Sequence, residues 1–144
     1  MRITDRFSSE HDVFLAQIEV LASLASSAAS VEAVSSAMRT LAKPLLAHAE
    51  AEERALFPGL EASMGGEGGP LAILTDEHVT IHGQVDELTG TPTRAQLDRT
   101  FAAFRSLLQA HIDKEEQVLF PAAQQILGDD RLERMDRDRA GLAV

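Results

Sequence analysis

All five histidines of this 144-residue chain stand on apolar stripes of helical period, at positions where leucine is expected. They occur as His11, then His48-Ala-Glu-Ala-Glu52, then His78-Val-Thr-Ile-His82, then His111-Ile-Asp-Lys-Glu115. In the last three groups the i,i+4 spacing brings both side chains to one face of a helix, about 5–6 Å apart at Cβ. Such stripes are the inward faces of bundle helices, and imidazole and carboxylate at the centre of a bundle call for cations there. The pattern points to a two-metal site.

The stripes predict an all-α, antiparallel up-down four-helix bundle. Residues 5–28 place Phe7, His11, Phe14, Ile18, Leu21 and Ala25 at steps of three and four. Residues 30–62 start at a capping Ser30 and continue the alternation through Val34, Met38, Leu41, Leu45, His48, Glu52 and Ala55. The glycine-rich segment 65–69 is a loop. Residues 71–89 carry Leu71, Leu74, His78, His82, Val85 and Thr89. Residues 93–126 open with a capping box at Thr93 and Gln96, followed by Leu97, Phe101, Phe104, Leu108, His111, Glu115, Val118 and Ala122. Residues 127–144 could include a short helix capped near Asp130, but their charge leaves them a tail outside the core.

An internal repeat supports one domain built from two helix pairs. His48 to Pro58 and His111 to Pro121 share the histidine, two consecutive glutamates and Leu-Phe-Pro in register, and Glu10-His11 matches Glu77-His78. Leu15 stands where the second half has His82, so three histidines are expected on one metal and two on the other. Pro44 falls inside a helical pattern and is expected to kink it. Pro58 and Pro121 either kink or terminate their helices.

Without cysteine, any metal must bind through nitrogen and oxygen. Net charge is −10, which repels nucleic acid and anionic membranes. The absence of an apolar signal core or long apolar run implies a cytoplasmic protein. A single inward histidine is commonly a hydrogen-bonded core residue, but five imidazoles and two carboxylates at one depth would be badly destabilising without cations. Other chemistries fit less well. No histidine follows a glutamate at i,i+3 as in ferritin-like sites. The His78/His82 pair lacks the glutamate of the zinc peptidases, Glu77 lying on the wrong side, and no phosphate loop follows the glycines.

With those residues set out, the chain resembles the hemerythrin-like (HHE cation-binding) domains over about residues 5–126. The resemblance implies a non-haem di-iron centre with an oxo or hydroxo bridge: His78, His82 and His111 on one iron, His11 and His48 on the other, Glu52 and Glu115 bridging both. One position would stay open for O2, NO or peroxide, for sensing, carriage or scavenging. A catalase-like or NO-related redox enzyme and an iron store or donor are the alternatives. In the animal oxygen carriers of that family the last carboxylate lies five residues after the histidine. Here helical phase favours Glu115 at four over Glu116 at five. Glu53 and Glu116 are read as solvated or ion-paired surface, and no residue is assigned a catalytic role beyond metal binding.

Overall fold

Each stripe has one face to bury, and in the computed structural model the four close on one another. It describes the backbone of residues 1–142 and the side chains of residues 1–139. Helix α1 spans Ile3–Ala25. Helix α2, Val31–Ala51, runs through a π-helical turn at Glu52–Leu56 into α3, Phe57–Met64. Helix α4 is Pro70–Thr89. Helix α5, Arg94–Lys114, runs through a second π-helical turn at Glu115–Leu119 into α6, Phe120–Leu142. The described residues contain no strand. With short connections, α1 packs on α2, α2 on α4, α4 on α5 and α5 on α1, which makes a four-helix bundle. No described helix is long and apolar enough to cross a membrane.

Local chemistry fixes the helix starts. The Ser30 hydroxyl accepts from the Ala33 N–H at 3.1 Å. Thr93 and Gln96 form the expected reciprocal box, with Thr93 Oγ1 accepting from Gln96 N and Gln96 Oε1 from Thr93 N. Helix α2 continues through Pro44, whose ring is exposed.

The π turns answer the question posed by Pro58 and Pro121. Neither proline terminates its helix; each sits just past a turn in which the Phe57 N–H reaches Glu52 O and the Phe120 N–H reaches Glu115 O, an i→i−5 bond. The wider turn also changes the stripe. Residues 111, 115, 119, 123 and 127 lie at steps of four, which in an unbroken α-helix drift by about 160°. One extra residue in the turn recovers about 100° of that. The inward residues are therefore Leu56, Leu119 and Ala123 in place of Ala55, Val118 and Ala122, and Val118 is 57% exposed.

The tail is a correction to the sequence reading. Gly128, at φ 77°, breaks α6, and the chain beyond it folds back on the bundle. Leu127 and Leu132 are buried in it, and Gly59 leaves room for Met135 against α3. Arg6 clasps Asp136, with one of its two bonds at 2.8 Å. The charges that mark this segment as solvated are partly used in ion pairs to α1. Residues 143–144 of the expected tail lie outside the described residues.

Buried apolar side chains form two separate clusters. One, from Phe14 to Ile112, fills the end holding the α1–α2 and α4–α5 connections. The other, from Ile3 to Leu132, fills the opposite end. The polar layer lies between them.

Candidate metal centre

Six side chains from the four inner stripes converge on that layer: His11 from α1, His48 from α2, His78 from α4, His111 from α5, and Glu52 and Glu115 from the two π turns. All six are buried, both glutamates completely. They form two overlapping groups, His11/His48/Glu52/Glu115 and His78/His111/Glu52/Glu115. In each, one ligand atom per residue lies within 4.8 Å of the others.

The imidazoles meet in pairs. His11 Nε2 lies 3.1 Å from His48 Nε2, and His78 Nε2 lies 3.1 Å from His111 Nε2. The opposite ring nitrogens face carboxylates. His48 Nδ1 donates to Glu10 (2.6 Å), His11 Nδ1 to Glu116 (2.7 Å) and His111 Nδ1 to Glu77 (2.9 Å). His78 Nδ1 faces Glu53 at 3.4 Å without a hydrogen bond. A carboxylate can only accept, so the three bonded rings carry a proton on Nδ1 and turn Nε2 towards the centre. The 3.1 Å separation within each pair is that of adjacent nitrogens on one ion with bonds of about 2.1 Å.

The carboxylates make the same case. Glu52 Oε1 lies 2.7 Å from His48 Nε2 and 3.9 Å from His78 Nε2, and Glu115 Oε1 lies 3.1 Å from His11 Nε2 and 3.5 Å from His111 Nε2. None of their four oxygens has an aligned donor. Buried, unpaired carboxylate costs several kcal/mol, so these oxygens call for a cation, and each glutamate belongs to both groups that could hold one. Burial pushes His11, His78 and His111 below the ordinary histidine range and so keeps them neutral. For His48, burial also pushes down, but the bond to Glu10 and the closeness of Glu52 outweigh it and raise the group to about 9. A proton there occupies the place of a metal.

The Leu-Phe-Pro repeat now has a physical reading. Phe57 stacks on His78 at 6.0 Å and Phe120 on His11 at 5.6 Å, each ring held by the phenylalanine of the other half. Sequence reasoning missed these rings and the outer carboxylates. Glu53, Glu77 and Glu116 were each set aside, although the repeated Glu-His and Glu-Glu pairs were the signal for a layer supporting the histidines.

His82 does not join the cluster. Its side chain is 58% exposed, with Nδ1 3.9 Å from Asp86. The inward face of α4 runs Leu71, Leu74, His78, Ile81, Val85, Leu88, so Ile81 and Leu88 take the places expected for His82 and Thr89. Both positions satisfy the alternation on paper; apolar burial selects the isoleucine. The three-plus-two division of histidines accordingly becomes two and two.

On the apolar side of the layer is a cavity of about 20 Å³, room for one water-sized centre, walled by Phe14, Leu45, Ile81, Leu108 and Ile112. Among the described residues, the six clustered side chains are its only polar lining. Leu46, Ala49 and His78 are shared with a surface cleft of about 340 Å³ between α2 and α4, where His82 stands. No match was found among curated proteins or among solved structures. The Hemerythrin HHE cation binding domain matches residues 2–123, a span holding all six clustered residues and both π turns, and the chain belongs to that family.

Proposed function

We propose that the chain is a non-haem di-iron protein that binds a small molecule, O2, NO or peroxide, at an open iron position, for sensing, carriage or scavenging. The observation that carries this reading is the pairing of Nε2 atoms at 3.1 Å on either side of two donorless carboxylates. His11 and His48 would hold one ion, His78 and His111 the other, and Glu52 and Glu115 would reach both. Nitrogen–oxygen ligands of this kind suit iron, and copper or zinc can compete for them in vitro. When bound, iron supplies a reversible redox couple and a coordination position that the protein leaves free.

The chain's own residues do the rest. Glu10, Glu116 and Glu77 hold the His48, His11 and His111 rings in orientation through Nδ1, the requirement for a preorganised ligand set. Phe14, Leu45 and Ile81 make the cavity wall apolar, and the α2–α4 cleft, which shares Leu46, Ala49 and His78 with it, would give a small molecule a way inward. Every polar side chain lining the cavity is a ligand, and the sequence has no Tyr or Trp. With no separate acid to protonate a bound peroxide, binding is favoured over rapid turnover.

Protein produced with ample iron should contain close to two irons per chain. After anaerobic reduction, O2 or NO should change the visible spectrum. One ion or none would overturn the reading. Release of O2 from peroxide faster than about 10² per second, abolished by His48→Ala, would replace it with a catalase-like enzyme.

A further inference from the structure

Glu10 and Glu77 hold the same station in the two halves: Glu10 Oε1 accepts from His48 Nδ1 and Glu77 Oε1 from His111 Nδ1. Each is met on its far oxygen by one cation, but the cations come from different places. Glu77 Oε2 is paired with Lys114, three residues after His111 on the same helix. The repeat puts Ala51 at the corresponding position after His48, and alanine has no charge to give. The missing cation is Arg139, whose Nη2 lies 2.9 Å from Glu10 Oε2 and 3.3 Å from Oε1.

Arg139 lies beyond the residues matched by the family, in the helix that folds back after Gly128. Its guanidinium sits 5.1 Å from the centre of the Phe7 ring, and the Arg6–Asp136 pair and buried Leu132 anchor the same segment. Phe7 itself meets the His48 ring edge-on at 5.0 Å. The C-terminal helix thus reaches His48 through both a carboxylate and an aromatic ring.

We infer that Arg139 is a positioning residue for the divalent cation held by His11 and His48, so that this site depends on the C-terminal helix while the His78/His111 site depends on Lys114. The inference rests on the proposed two-ion reading. Without Arg139, Glu10 loses the partner that fixes its rotamer, and His48 loses the acceptor that fixes its ring. Losing a support of this kind weakens metal binding about 10–100-fold.

The test is a cobalt(II) titration of the full chain, followed by visible absorbance. Arg139→Met should weaken one of two ions by about tenfold or more, Arg139→Lys should restore most of the loss, and Lys114→Met should weaken the other ion. The Arg139→Met effect should persist when His111→Ala leaves only the first site and vanish when His48→Ala leaves only the second. A metal-free readout stands beside it: by nitrogen-edited NMR, the His48 ring proton on Nδ1 should exchange faster with water in Arg139→Met, and that of His111 should not. Equal weakening of both sites, no weakening, or ring protons that respond alike would overturn the inference. If the unmodified chain takes up no cobalt, the two-ion reading fails, and the ring protons still decide the link from Arg139 to His48.

Discussion

The first helix pair, α1 with α2 and α3, and the second, α4 with α5 and α6, agree where they face the candidate cations and diverge one layer out. His11 and His78, His48 and His111, Glu52 and Glu115, and Phe57 and Phe120 occupy matching stations. Around them, Ala49 answers to Ile112, Leu15 to His82 and Ala51 to Lys114. Ile112 is buried over the cluster, whereas Ala49 leaves a cleft in the α2–α4 seam. The inner layer is held alike in both halves because ligand atoms tolerate little displacement. The outer layer answers to each seam separately, and that is where access and support become unequal.

Removing the ions tests whether the halves are joined at all. At cobalt or iron concentrations about 1,000-fold above Kd, linkage gives about 4 kcal/mol of stabilisation, an upward shift of about 10 °C in Tm for a chain this size. Equal midpoints with and without metal would mean that the six residues are not a coupled site. Glu52→Gln tests whether the carboxylates are shared. It should weaken both ions, by about 100-fold each, in a cobalt titration, and loss of a single ion would assign Glu52 to one half only.

Exchanging the seam residues tests the difference in access. Ala49→Ile, which copies Ile112, should slow cobalt uptake about tenfold with the final content still two, an effect of about 1.4 kcal/mol on the barrier. An unchanged rate in stopped-flow absorbance would place the path elsewhere. Asp136→Asn tests the attachment of the tail to the first half. The Arg6 guanidinium holds the Asp136 carboxyl below its usual range, so its contribution is fully present above about pH 4 and lost as pH falls through the folded value. Urea midpoints should differ by less than about 1 kcal/mol at pH 7, the pair being partly exposed, and should converge towards pH 2. The smallest effect belongs to His82→Ala, which should leave two ions bound with affinity changed less than about twofold. Loss of an ion would mean that His82 turns inward and that the halves differ in their ligands as well.

The bundle and its polar layer were legible because helical periodicity and histidine spacing report directly on which faces are buried. What was not legible depended on choices that periodicity leaves open. Ile81 and His82 both satisfy the alternation, and only packing against the apolar cluster decides between them. The π turns hid behind the expected stripe, though the run of steps of four from His111 to Leu127 was their trace. Glu77 precedes His78, the wrong side for a zinc-peptidase base, and that comparison does not consider the far nitrogen of His111, to which Glu77 is bonded. The tail looked solvated because its few apolar residues, Leu132 and Met135 among them, are spaced by charges that pair only in three dimensions.

The polar layer separates two apolar clusters that have no buried hydrophobic residue in common. Apolar burial alone therefore stabilises each end of the bundle as its own cooperative unit. What transmits stability from one end to the other is the set of bonds crossing the layer, and those bonds run through the ligands. Cations held in this layer would join the two units into a single unfolding transition, and without them one end would open while the other stayed folded. On the proposed two-ion reading, metal occupancy would set the cooperativity of the chain as well as its chemistry.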